Sequence, residues 1–208
     1  MHSDSKTQNN KGFTLIELMV TIAIVTVIMG IILIENSKFN DSIILTNTAY
    51  EIALVARQAQ VFGLSSKAAS SGTIYSGYGI NASAVDGENS VVHLFADNIT
   101  ANGKYDAGEE ITGGIQIGRG IRVTHICFYY ATERRCNESE VLKKTNVTFK
   151  RPNPESDIRD GSGSTPAGVK QVQINVNTSA STNESRCVII YKSGQISVKS
   201  GNTNCPTS

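Results

Sequence analysis

Glu17 carries the most unusual chemistry in this sequence because of what surrounds it. It lies in residues 13–34, where 17 of 22 residues are apolar and the others are Thr14, Glu17, Thr21, Thr26 and Gly30. A carboxylate held at membrane depth costs roughly 2.5–3.5 kcal/mol, so an acid there calls for a partner and a task. Thr14, Glu17 and Thr21 are spaced i, i+3 and i+7, which puts them on one face of a helix, where they can meet another polar group.

Other reactive residues are sparse. Cysteines stand at 127, 136, 187 and 205, and four cysteines allow three pairings. Joining Cys127 to Cys136 and Cys187 to Cys205 closes the shortest loops, and the second bond would tie down the C-terminal tail. His125 and Cys127 alternate along one strand and offer two metal-ligand types, but there is no C-x-x-C and no other histidine nearby. No metal or cofactor is expected. Asn98, Thr100, Asn102, Gly103, Asp106 and Glu109 approximate the spacing of an EF-hand loop. Asn replaces the Asp that begins such a loop, and an Asn-Gly turn between strands explains the same residues. Gly113–Gly120 is glycine-rich, yet Arg119 and Gly120 stand where a phosphate-binding loop needs Lys and Ser or Thr. No Ser/His/Asp arrangement, paired carboxylates or H-E-x-x-H occurs, so the chain is not read as an enzyme.

The elements that must position Glu17 follow from periodicity. The apolar stretch is long enough to span a bilayer as a helix. Beyond it, Leu45, Ala49, Ile52, Ala56 and Ala59 recur at three and four residues, and Gly63 with Ser65 and Ser66 supplies a stop. The spacing predicts one continuous helix over 13–64, its first half (13–34) in membrane or filament core and its second packed on a sheet. The later chain reads as short strands at 73–80, 91–96, 111–117, 121–130, 146–149, 169–177, 187–191 and 195–199. Ser193-Gly194 makes a hairpin, and Pro152, Pro154 and residues 160–164 make a long irregular loop. Without alternating strand and helix units, the sheets should be antiparallel and the fold class α+β.

Lys11-Gly12-Phe13-Thr14-Leu15-Ile16-Glu17 and the apolar run after it resemble the leader junction of type IV pilins and of type II secretion pseudopilins. That resemblance implies a leader of residues 1–12, cut by prepilin peptidase between Gly12 and Phe13. It further implies N-methylation of Phe13, and a role for Glu17 in meeting the amine of a neighbouring subunit during assembly. A freshly made cation and a lone carboxylate on adjacent apolar helices neutralise each other where the dielectric is low. A secretory signal peptide fits poorly, because the run is long and Glu35-Asn36-Ser37 lacks an A-x-A-like site.

Lys6 and Lys11 precede the span, which leaves the leader cytoplasmic, anchors the chain in the inner membrane and places residues 65–208 in the periplasm. The body after the leader carries 17 basic and 17 acidic residues. That balance argues against bulk electrostatic capture of DNA.

Weaker features are similar to the pseudopilin H/FimT/FimU branch, including Leu54-Val55-Ala56-Arg57-Gln58-Ala59 and the stretch 95–109. The resemblance implies a type IV pilin-like fold and a minor pilin that joins other minor pilins and the major pilin at the pilus tip, serving twitching motility, adhesion and DNA uptake. FimT-type pilins contact DNA through a C-terminal Gly-Arg-x-Arg; here the matching place reads Gly194-Gln195-Ile196-Ser197. DNA is therefore a disfavoured partner, although Arg119, Arg122, Lys192 and Lys199 offer displaced cations. Pseudopilin H of type II secretion is the other alternative. All four prolines lie at 152 or beyond, so the helix lacks the kink that major pilins usually carry, as suits a minor subunit.

Overall fold

The computed structural model describes residues 12–65, 76–98, 101–111, 114–118, 120–178, 184–201 and 205, with side chains 34–39 left aside. It contains one long helix, α1 (Leu15–Ser65), and ten strands among the described residues. Contacts divide the chain into two units, Met1–Asp41 and Ser42–Ser208.

In the first unit, Leu15–Leu33 is a 19-residue stretch of mean hydropathy 2.6 with no residue buried. At 1.5 Å per residue it is about 28 Å long, close to the roughly 30 Å of a bilayer's hydrocarbon core. Thr21 Oγ1 donates to the Leu18 carbonyl at 2.9 Å and Thr26 Oγ1 to the Ile22 carbonyl at 2.6 Å. Back-bonding of this kind satisfies each hydroxyl within its own helix, so threonine adds little polarity to an apolar stretch.

The second unit is built on the other half of α1 and two antiparallel sheets. The first sheet orders as β3-β2-β1-β6-β7, from β1 (Tyr78–Ser83), β2 (Val91–Ala96), β3 (Ile115–Gln116), β6 (Lys144–Lys150) and β7 (Asn153–Asp160). The second orders as β10-β9-β8-β4-β5, from β4 (Ile121–Tyr129), β5 (Arg134–Cys136), β8 (Gln171–Thr178), β9 (Ser185–Tyr191) and β10 (Ile196–Ser200). Together with the helix this is the α+β, pilin-like arrangement expected from the pattern.

One core joins the three layers. Leu45, Ala49, Ile52, Ala56 and Ala59 of α1 are fully buried, together with Ile80, Leu94, Phe149, Phe128, Ile174 and Ile190 from the sheets. Small side chains along the helix stripe let the backbone approach the sheets closely. Arg186 of β9 ties the start of this half-helix down, donating from Nη2 to Ser42 Oγ and from Nε to Thr46 Oγ1, each at 3.0 Å.

Several expectations need correction. Residues 153–160, read as loop because of Pro154, form β7. It is an edge strand, where a residue without an N–H breaks no ladder on its open side. The strand expected at 73–80 runs from Tyr78 to Ser83, with 73–75 outside the described residues. Among the described residues of the 111–117 run, only Ile115–Gln116 pairs as a strand. Strand β5, Arg-Arg-Cys, carries no apolar pattern; backbone pairing with β4, Arg134 and Arg135 over the Tyr129 and Tyr130 rings, and a disulfide hold it there. Cys127 and Cys136 face each other across the pair and are disulfide-bonded, with Cα atoms 4.1 Å apart.

The second disulfide, Cys187–Cys205, lies on the outer face of β9. There it forms a small second cluster with Ile189 and Tyr191, apart from the main core. This explains why Cys-Val-Ile-Ile-Tyr is apolar without alternation: Val188 and Ile190 point to the main core, and the disulfide covers the opposite face.

Candidate functional site

Thr14 caps α1. Its Oγ1 accepts the Glu17 N–H at 3.3 Å, and its carbonyl accepts the Leu18 N–H at 3.2 Å. Glu17 is therefore the third residue of the helix, where the exposed amides favour a negative side chain by about 0.3–1 kcal/mol. Thr-x-x-Glu is the spacing of a capping box. Reading the sequence for a shared polar face passed over this cap, although the spacing is legible there. The structure also narrows that face. Thr14, Thr21 and Thr26 are satisfied within the helix, and among the described residues the Glu17 carboxylate alone of these polar side chains has no partner.

Gly12 precedes the helix with open space around the position a Cβ would take, and its φ is not in the left-handed region. Nothing in the fold calls for glycine at this position. Gly194 is the opposite case. Its φ is +87°, and a Cβ there would collide with the Pro154 carbonyl oxygen. The turn it makes between β9 and β10 is bound to α1: Gln60 Nε2 donates to the Gly194 carbonyl at 3.0 Å, and Arg57 Nη2 to the Ile196 carbonyl at 3.3 Å. In the place matching a DNA-contacting motif, the Gly194 backbone and Ile196 are thus packed, while Gln195, where the first arginine would stand, is exposed. Of the displaced cations, Arg122 on β4, Lys192 after β9 and Lys199 on β10 are exposed on separate elements. Arg119 lies outside the described residues.

The residues with EF-hand spacing are turned to other uses. The buried Glu109 carboxylate accepts the Asn98 N–H and the Asp106 N–H, each at 3.0 Å. Asp97, fully buried, accepts the Gly103 N–H at 3.0 Å and pairs with Lys150 Nζ at 3.2 Å. The acids therefore brace the loop through backbone amides, and a lysine supplies the positive charge. Thr100 lies outside the described residues. No cluster of three or more His, Cys, Asp or Glu suited to a metal occurs among the described residues.

His125 does not work with Cys127 as a ligand pair, because that sulfur is in the disulfide. Burial pushes the imidazole pKa down from its usual value. In the glycine-rich stretch, Ile115–Gln116 pairs along β2 and strand β4 follows, so no helix N-terminus faces a phosphate. Gly113 is outside the described residues.

Residues 7–33 match the model of the prokaryotic N-terminal methylation motif. Comparison with curated proteins and with solved structures found no match. The matched segment covers the whole of the apolar stretch Leu15–Leu33 of α1. Motif and helix together support a type IV pilin or pseudopilin: a structural subunit, processed by prepilin peptidase, assembled with other pilins, and fitted to an inner-membrane anchor before it enters a filament.

Proposed function

We propose that the chain is a FimU-like minor type IV pilin, acting in the minor-pilin complex that primes assembly at the pilus tip. Twitching motility, adhesion and DNA uptake follow from the pili so formed. The observation that carries this reading is the Glu17 carboxylate, the one polar side chain of residues 13–33 without a partner among the described residues. In an apolar surrounding it has a strong demand for a cation.

In this reading prepilin peptidase cuts after Gly12, whose missing side chain suits a peptidase cleft rather than the fold. Phe13 then becomes the N-methylated terminus, next to the Thr14 cap. Its amine supplies the cation for Glu17 of an adjacent subunit, while the β-domain, held in the periplasm until assembly, presents the surfaces that select partners. The neutral body and the presence of Gln195 and Ser197 where the motif has arginines favour a structural role over DNA capture.

Two measurements on protein from the native cell test this. Mass spectrometry should find a chain beginning at N-methylated Phe13; an intact Met1 would sink the proposal. Glu17→Ala should be cleaved normally yet be missing from sheared pili, and mutant protein at normal levels in those pili would count against it. Pseudopilin H of type II secretion shares these features, and the identity of co-purifying subunits separates the two.

A further inference from the structure

On the outer face of the first sheet, three polar residues line up across neighbouring strands. His93 of β2 is opposite Asn81 of β1, and Asn81 is opposite Asn146 of β6. Asparagine is depleted in strands, and their neighbours in sequence, Ile80, Val92 and Val147, turn inward to the core. The row is partly roofed by residues 101–106. Tyr105 donates its N–H to Asn146 Oδ1 at 3.0 Å, and its ring stacks on His93 with centroids 4.6 Å apart and planes 11° from parallel. Between roof and strands lies a cleft of about 390 Å3, lined by Asn81, His93, Lys104, Tyr105, Lys144 and Asn146 among others. That volume is in the range of small-molecule sites.

The cleft's polar groups are unevenly committed. Asn81 Nδ2 donates to Asn146 Oδ1 at 2.9 Å, which leaves the Asn81 carbonyl as an acceptor without a partner among the described residues. Lys144 Nζ is neutralised by Glu88 at 2.7 Å. Lys104 Nζ has no ion pair among the described residues, and its stem is held at the rim over Gly163. His93 Nδ1 lies 3.2 Å from Glu110 Oε1 but outside hydrogen-bonding geometry.

The cleft therefore offers an amide acceptor, an imidazole and phenol stack with apolar faces, and one uncommitted ammonium. We infer that this cleft binds a carboxylated sugar, a uronic acid unit, with its hydroxyls on Asn81, its ring against the Tyr105–His93 stack and its carboxylate on Lys104. The two rings cover each other's inner faces, so it is the outer face of the stack that matches the apolar face of a pyranose, and the Asn81 side-chain oxygen accepts from a hydroxyl. A charge-assisted contact from Lys104 separates an acidic sugar from a neutral one. None of this depends on the N-terminal motif.

Saturation-transfer NMR on the full-length protein in detergent tests the assignment, with glucuronate and glucose as probes. Glucuronate should receive saturation and bind about tenfold more tightly than glucose, the value of one charge-assisted hydrogen bond. Lys104→Gln should erase that preference at the parent's melting temperature, and His93→Ala, which also gives up the stack with Tyr105, should weaken both sugars alike. Absence of transfer to either sugar would overturn the assignment, as would an unchanged glucuronate preference in Lys104→Gln. Displacement of glucuronate by a short single-stranded oligonucleotide that binds more tightly would give the cleft to nucleic acid instead.

Discussion

At the scale of single residues, two glycines with one backbone conformation differ in what surrounds them. Gly87 and Gly194 share nearly the same left-handed backbone, φ +89° and +87°. Nothing lies near a Cβ at Gly87, whereas one at Gly194 meets the Pro154 carbonyl. Gly87→Ala should therefore cost only the left-handed penalty, about 1–2 kcal/mol. Gly194→Ala should cost clearly more, read as a larger drop in urea midpoint at an unchanged slope. His125 gives a pH dependence of known sign. Burial lowers its folded-state pKa below the usual 6.5, so the unfolded chain takes up the proton first. Stability is unaffected above that value and falls as pH drops below it, until the folded imidazole also protonates. His125→Gln should flatten the stability profile between roughly pH 7 and pH 5, where an ordinary histidine titrates, as followed by thermal melting; an unchanged slope would assign that dependence to other groups.

At the scale of elements, how well each part was readable depended on which force holds it. The helix and strands such as Val91–Ala96 were legible because their apolar periodicity is what buries them. Strand β7 was not, since its neighbour β6 pairs with it by backbone hydrogen bonds and an edge position tolerates Pro154. Nor was β5, held by backbone pairing, arginine–ring contacts and the Cys127–Cys136 bond rather than by apolar side chains. The candidate site divides in the same way. Glu17 stood out as a charge in an apolar run, and its cap was written in Thr-x-x-Glu. The cleft beside Asn81 brings together residues from β1, β2, β6 and a loop, and no local spacing announces that. Disulfide removal tests this view of the C-terminal element. Cys187→Ser with Cys205→Ser opens a loop of 18 residues, for an entropic loss of about 3 kcal/mol. It should also uncover Ile189 and Tyr191 on the outer face of β9. Cys127→Ser with Cys136→Ser opens a loop of 9, with a slightly smaller entropic loss, about 2.6 kcal/mol. Hydrogen exchange in the first double mutant should rise along β9 and β10, and in the second along β5.

At the scale of the whole chain, the proposed function assigns stability and assembly to different stretches of one helix. Among the described residues, every buried apolar residue of α1 lies at Leu45 or beyond, and the residues of Leu15–Leu33 are all exposed. The first stretch therefore contributes nothing to the core of Ser42–Ser208, while its exposed apolar surface demands lipid or other helices. Removing residues 1–33 should leave the core, the Arg186 contacts to Ser42 and Thr46, and both disulfides in place. The expected product is soluble without detergent and unfolds cooperatively at a midpoint close to that of the full chain. It should also fail to enter pili, because Phe13 and Glu17 are gone. Aggregation or non-cooperative melting of the shortened chain would show that the anchor half supports the fold after all. Incorporation into pili without it would remove Glu17 from the assembly step.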